Sequence, residues 1–264
     1  MLGFDKVSVH FDDTVALDGV TFELREGDTL ILLGAAGSGK TVLLKTALGL
    51  IRPDQGRVSL FGESTHDKKE REMVDLRSRV GVLFQEGGLF DSLTIEENVA
   101  YPLLNQRTLR CPPEQVRPRV EEALEFVELG HTLEKVPSEL SGGMRRRVGI
   151  ARAIVTAPPL LLYDSPTAGL DPITANTITA LIAKERDIRR TTTALATHRH
   201  QDGQLLANYR HDPATGRLLP ADPGEVRTRF LVLLQGRLVF EGSQEELDAS
   251  VDPYVSKFAR RLKE

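Results

Sequence analysis

The chain of 264 residues contains a single cysteine, Cys111, so it holds neither an internal disulfide nor a cysteine-clustered metal site. Long apolar runs are also missing. The longest, such as Leu30–Leu33 and Leu160–Tyr163, have the length of a core strand and fall far short of a bilayer. Met1 is followed within a few residues by Asp5 and Lys6 rather than by an apolar signal region, so nothing points to export and a cytoplasmic protein is expected. A cationic excess is absent too. The formal net charge of −4 argues against a nucleic-acid partner. No tandem repeat or low-complexity tract is visible. What is present is an ordinary globular composition, 40% hydrophobic and 27% charged, in a chain long enough to bury a sizeable core.

Residues 4–33 alternate apolar and polar positions around the turn signals Asp18-Gly19 and Glu26-Gly27, which predicts strands. Thr29–Gly34 is a continuous apolar run and predicts a strand buried on both faces. Leu43, Leu44, Ala47 and Leu48 then share one face of a predicted helix. Further strands are expected at Val58–Phe61 and Arg79–Gln85, the latter with Gln85 at its end. From about 91 to 156 the pattern turns helical. Thr94 and Glu97 have capping-box spacing at the start of one helix. Val116, Val120, Leu124 and Val127 mark a second, with Pro118 either at its first position or at a kink. A third runs from Gly142 toward Thr156, after which Leu160–Asp164 and Thr192–His198 restore the strand pattern. The expectation is one α/β domain: a core of about 1–90 and 157–248, a helical subdomain of about 91–156, and a tail over 249–264.

Gly34-Ala35-Ala36-Gly37-Ser38-Gly39-Lys40-Thr41 fits the spacing of a phosphate-binding loop, and it joins a predicted strand to a predicted helix. Glycines let backbone N–H groups turn inward around phosphate oxygens, and the helix start adds partial positive charge. Lys40 is expected on the β- and γ-phosphates of a nucleotide and the Thr41 hydroxyl on Mg²⁺. A second anion site is readable in Leu140–Ala153, where Ser141, Gly142 and Gly143 offer a hydroxyl and close-approach N–H groups at a helix start. One chain hardly needs two such sites for one nucleotide. Two chains facing each other do, each closing on its partner's γ-phosphate. Asp164, ending an apolar strand, has the placement of a metal-facing carboxylate.

In this order, and over nearly its whole length, the chain resembles the ATP-binding subunits of ABC transporters. The resemblance implies a P-loop fold with an inserted helical subdomain and an N-terminal antiparallel β part, binding ATP and Mg²⁺ as a homodimer beneath a membrane permease. It implies that Phe11 stacks on adenine, that Gln85 touches Mg²⁺ and senses the γ-phosphate, and that Asp164 holds Mg²⁺, mostly through water. By the same likeness Ala168–Asp171 crosses the dimer interface and His198 is the switch histidine. Gly81–Leu103 is further similar to ATPase subunits of MCE-associated (Mla-type) lipid transport systems. That likeness implies an MCE-domain protein in the same system, a lipid handled by the permease, and a peripheral position on the cytoplasmic face of the inner membrane. It also makes Gly87–Phe90 an apolar loop that receives a permease helix, in preference to a loop packed on its own subdomain.

Two features depart from that pattern. Ser165 stands where most such ATPases carry a glutamate that activates water. A neutral hydroxyl is no general base, so a slow ATPase is expected, with complete inactivity the alternative. Glu86 is a conceivable substitute carboxylate. Asn208–Thr228 is an insertion whose prolines and glycines predict a surface loop with a small hairpin at Ala214-Thr215-Gly216. In the tail, Val251, Tyr254 or Val255, Phe258 and Leu262 share a helical face expected to pack back on the chain, or to grip a partner subunit.

Overall fold

Two antiparallel strands, β1 (Leu2–Phe11) and β2 (Thr14–Leu24), open the computed structural model, which describes residues 1–85, 87–106, 111–222 and 224–259. Then come β3 (Thr29–Leu33), α1 (Lys40–Ala47), β4 (Gln55–Leu60), β5 (Glu63–Ser64), α2 (Glu70–Arg77) and β6 (Val80–Leu83). The helical stretch holds α3 (Ile95–Asn105), α4 (Pro113–Phe126) and α5 (Gly142–Ile154). After it run β7 (Leu160–Asp164), α6 (Pro172–Arg189), β8 (Thr192–Thr197), α7 (His200–Asn208), β9 (Tyr209–Asp212), β10 (Arg217–Pro220), β11 (Thr228–Leu234), β12 (Arg237–Gly242) and α8 (Gln244–Asp248).

The apolar runs become the middle of a six-stranded sheet ordered β12-β11-β3-β8-β7-β6, parallel except for β12 at one edge. Both faces are covered, which is why β3 and β7 read as unbroken apolar stretches. Successive side chains point to opposite faces, and the cores follow that period. Ile31, Leu33, Leu161, Tyr163 and Leu195 pack with the helices α5, α6 and α7. Leu30, Leu32, Leu160 and Leu162 pack with α1 and with the antiparallel sheet β2-β1-β4-β5. The register pairs Leu33 with Thr197 and Asp164 with Ala196. Gly34, Ser165 and His198 therefore emerge together at the carboxyl edge of the sheet, where open α/β sheets bind ligands.

Gly81 shows how tightly the helical part seats on the sheet. A methyl group there would meet the Ala153 carbonyl oxygen of α5 and, at 2.5 Å, Leu161 Cδ2 of β7. Gly81→Ala should therefore destabilise the fold by ~1–3 kcal/mol through overpacking, read as a lower urea midpoint at unchanged slope.

Several sequence expectations shift. The strand before Gln85 stops at Leu83, leaving Gln85 in a turn whose Phe84 carbonyl accepts from Gly87 N–H at 2.9 Å. Helix α4 starts at Pro113 rather than at Pro118. Pro113 suits a first turn, and Pro118 costs only the bond to the exposed Glu114 carbonyl. The insertion forms the antiparallel hairpin β9–β10 around the predicted turn. It is tied to α6, with Arg186 donating to the Tyr209 carbonyl (2.8 Å) and His211 N–H donating to Asp187 (2.7 Å). Among the described residues of the tail, the predicted helical face is replaced by a 3₁₀ turn, Val255–Phe258. Val255 and Phe258 are buried, Val251 is 96% exposed, and Leu262 lies outside the described residues.

Candidate functional site

The loop Gly34–Gly39 bends back between β3 and α1, with Gly37 and Gly39 at positive φ (75° and 107°). A methyl at Gly39 would also sit 2.5 Å from the Ala16 carbonyl oxygen, so both backbone angle and close approach demand glycine. Two strands brace the loop from behind, since Gly236 N–H after β11 donates to the Ser38 carbonyl (3.1 Å). Lys40 is buried and curls over the loop, donating to the carbonyls of Gly34 (2.7 Å) and Ala35 (2.8 Å). Burial pushes its ammonium below the ordinary lysine value, and the nearby Asp164 carboxylate pulls the other way. Phosphate loop and Asp164 thus share one electrostatic site.

Asp164 is 1% exposed at the end of β7. The Ser165 hydroxyl donates to its Oδ1 (3.2 Å), and Ser165 N–H donates to the Ala196 carbonyl (2.8 Å), two residues before His198. Ser165 takes a left-handed conformation, φ 49°, which a non-glycine residue adopts at a cost of ~1–2 kcal/mol. Phe11, 47% exposed, ends β1, and His198 and Gln85 are exposed at the ends of their segments. Glu86, the conceivable substitute base, lies outside the described residues.

Ser141, Gly142 and Gly143 stand apart from this group. The Ser141 hydroxyl caps α5 by accepting from Met144 N–H (3.2 Å). A methyl group added at Gly143 would meet Thr174 Cγ2, near the start of α6, at 2.6 Å. Gly142 lines a groove with Arg145, Arg146 and Ala168–Leu170, to which no residue of the phosphate loop contributes. Asp171 also caps a helix, its Oδ1 accepting from Ile173 and Thr174 N–H (both 3.0 Å). The Thr174 hydroxyl and these N–H groups hold its carboxyl below the usual aspartate value. One chain therefore carries two separate anion-competent helix starts, with the second outside its own phosphate loop.

The loop after Gln85 is held from α5. Arg152 donates to the carbonyls of Gly87 (2.9 Å) and Gly88 (2.8 Å), and burial lowers the pKa of its guanidinium. Asn98 accepts from Phe90 N–H (2.7 Å) and donates to its carbonyl (3.0 Å). Leu89 packs partly against the core, whereas Phe90 and Tyr101 are exposed with ring centroids 4.7 Å apart. Leu104 beside them is 63% exposed.

Sequence reading missed two contacts to these loops. Tyr254 Oη accepts from Ala35 N–H (3.1 Å) and donates to the Leu233 carbonyl (3.2 Å), so the tail pins the phosphate loop. Arg146 donates to the carbonyls of Phe84 (3.4 Å) and Ala168 (3.3 Å), joining α5 to the segments that begin at Gln85 and end at Asp171. The basic run Arg145–Arg147 was the available signal for Arg146. Nothing local marks Tyr254, which reads as one more member of an apolar stripe.

Comparison with known proteins agrees with the geometry. A profile described as ABC transporter matches residues 17–168. The chain is 34% identical over 241 residues to the probable ribonucleotide transport ATP-binding protein mkl of Mycobacterium leprae, covering 91% of this chain and 63% of that protein. It spans 53–63% of the length of several curated relatives that it matches. It is 31% identical over 248 residues to the intermembrane phospholipid transport system ATP-binding protein MlaF of Haemophilus influenzae, covering 94% of this chain and 86% of that protein. A solved dimeric ATP-binding cassette, MJ0796, in a post-hydrolysis state with ADP and Pi, superposes with a TM-score of 0.76 at 28% identity, covering 92% of this chain and 98% of that one. With a phosphate loop, a buried strand-end aspartate and a second anion-competent helix start set in this fold, the chain belongs to the ABC transporter family.

Proposed function

We propose that two copies of this chain close around Mg·ATP and that binding, followed by slow hydrolysis, drives a membrane permease. The carrying observation is the split between Lys40 and Asp164 on one side and, on the other, the helix start capped by Ser141, whose first residue Gly142 lines a groove without phosphate-loop residues. A second copy supplies what the first lacks. The donors fit Mg²⁺: the Thr41 hydroxyl and the buried Asp164 carboxylate are hard oxygen ligands, suited to a cation that keeps several waters and phosphate oxygens. The Gln85 amide oxygen is a third candidate donor at the same strand edge. The metal would neutralise charge developing on the phosphates, while Lys40 and the loop N–H groups hold them in line. Phe11, on its exposed strand end, offers a ring to the adenine. In this reading His198 meets the γ-phosphate in the closed pair and Asp171 meets the partner. Ser165 supplies no general base, which keeps turnover slow.

For the cargo we favour a lipid, in a system of the Mla type that includes an MCE-domain protein. Support comes from the MlaF likeness over nearly the whole of both chains and from the exposed Phe90–Tyr101 pair. That pair, with Leu104, presents an apolar surface to a permease helix. Among the described residues no helix is long and apolar enough to cross a membrane, which is compatible with a peripheral place on the cytoplasmic face of the inner membrane. The mkl likeness favours a different cargo at similar identity. Isolation of the permease that co-purifies from membrane extract decides between them, and a permease without an MCE-domain companion would overturn the lipid reading.

The two-copy arrangement has its own test. In sedimentation with Mg·ATP the protein should dimerise, and Ser141→Arg, which puts a bulky cation where a small hydroxyl must meet the partner's nucleotide, should weaken dimerisation by at least about tenfold. A permease complex carrying one copy, with no second cassette, would contradict it.

A further inference from the structure

The residue that joins the two arms of the nucleotide site is one that no motif marks. Asp202, in the first turn of α7, is 2% exposed. Its Oδ2 accepts from the hydroxyls of Thr167 (2.6 Å) and Thr197 (2.8 Å). Its Oδ1 lies 3.5 Å from the Thr179 hydroxyl of α6 and 3.6 Å from Arg199 Nε. Thr167 sits in the loop between Ser165 and Asp171, and Thr197 directly precedes His198. The carboxylate therefore holds, through one oxygen, the loop that leaves Asp164 and the strand end that carries the histidine.

The Thr197 hydroxyl has a second task. While donating to Asp202 it accepts from Arg199 N–H (3.0 Å), so the residues on both sides of His198 are fixed to one atom. On the other arm, Ser165 N–H bonds Ala196 and Ala168 N–H bonds the Ser165 carbonyl (3.1 Å), making the loop a short closed turn. These backbone bonds bring the arms together, and the carboxylate locks them. Core stability alone is a poor reason for this arrangement. A buried carboxylate loses several kcal/mol of hydration, and apolar residues of similar volume commonly do as well. Its return is direction: charge-assisted hydroxyl bonds are short and geometrically strict.

We propose that Asp202 is a positioning residue, coupling the His198 segment to the 165–171 loop so that both take up their places against nucleotide and partner as one unit. The inference rests on the nucleotide-site reading above. It requires that disturbing either arm be felt in the other.

Thr167→Val and Thr197→Val each delete one hydroxyl, keep the side-chain shape, and leave Asp202 in place. Hydrogen exchange of the nucleotide-free protein is the first measurement. Thr197→Val should speed exchange across 165–171, and Thr167→Val should speed it across 197–203, each by at least about tenfold, as loss of a bond to a charged group implies. Increases confined to the substituted segment, or none at all, overturn the coupling. Single-turnover phosphate release from bound Mg·ATP is the second. Each variant should be about tenfold slower, with nucleotide affinity unchanged and the double variant little worse than either single one, as expected for parts of one unit. Additive losses, unchanged rates, or losses matched by weaker binding overturn the positioning role. If the parent protein releases no phosphate, the hydrolytic reading fails by itself, and the exchange measurement decides the coupling. Asp202→Asn, should it fold, is expected to loosen both segments together.

Discussion

Lys40→Ala should abolish tight Mg·ATP binding, weakening it by ~3–5 kcal/mol, on the order of 10²–10³-fold or more. The ammonium is buried at the mouth of the loop, with the carbonyls of Gly34 and Ala35 and, at 3.4 Å, the Ser38 hydroxyl around it. Those partners are acceptors, and a polyphosphate offers stronger ones. Burial removes the water that would otherwise screen the charge, so each phosphate contact gains strength. Alanine leaves the loop's N–H groups and helix start in place but removes the Lys40 cation from the mouth of the loop. The fold should survive, because α1 is anchored by Leu43, Leu44 and Ala47 on its apolar face. Calorimetric titration with Mg·ATP, alongside a thermal melt to show that the variant is folded, checks this. Unchanged affinity would remove the phosphate-loop assignment.

The parts of this site that were readable in the sequence are those in which chemistry and chain direction coincide. A five-residue apolar strand followed by Gly34–Thr41 leaves little choice: the strand must be buried, and the glycines must turn. The same holds for Thr94, whose hydroxyl accepts from Glu97 N–H while Glu97 returns a bond to Thr94 N–H, the reciprocal pair its spacing announced. Where tertiary context outweighs local pattern, the reading slipped. Pro118 looks like a helix start, yet Pro112 and Pro113 lie upstream and the fold uses them. The tail's stripe has helical spacing, but its residues divide between a 3₁₀ turn, the Tyr254 bond to the phosphate loop, and solvent at Val251.

Contacts between distant residues were the least legible. Tyr254 reaches Ala35 across 219 positions and Asp202 reaches Thr167 across 35. Neither pairing leaves a trace in periodicity. Asp202 looks like an ordinary polar residue in the first turn of a short helix, and only the parallel register of β7 and β8 brings its two threonines to the same oxygen. The sheet order, which sequence did not supply, is what turns scattered motifs into one edge.

Ser165→Glu is expected to raise steady-state ATPase by about 10²-fold, the return typical of restoring a general base, and by less if product release or permease coupling limits turnover. The backbone at 165 is already fixed by the bond to Ala196 and holds a left-handed conformation that an unbranched side chain tolerates no worse than serine does. The substitution removes the serine's donation to Asp164 and sets a second carboxylate beside the first. Two such groups in a site that is 9% exposed at 165 cannot both ionise freely, and repulsion plus burial raise the newcomer's pKa toward the range in which a base works near neutral pH. Nucleotide affinity should change little, because Lys40, Thr41 and the loop N–H groups are untouched, with slight weakening from added negative charge near the γ-phosphate. Phosphate release and calorimetric titration separate the two effects. Brisk hydrolysis by the parent protein would mean that another group, Glu86 first, already positions the water. No gain in the variant, with ATP-dependent dimerisation intact, would mean that more than one residue of the site has diverged, and a nucleotide-gated switch would then be the better description of what this cassette does.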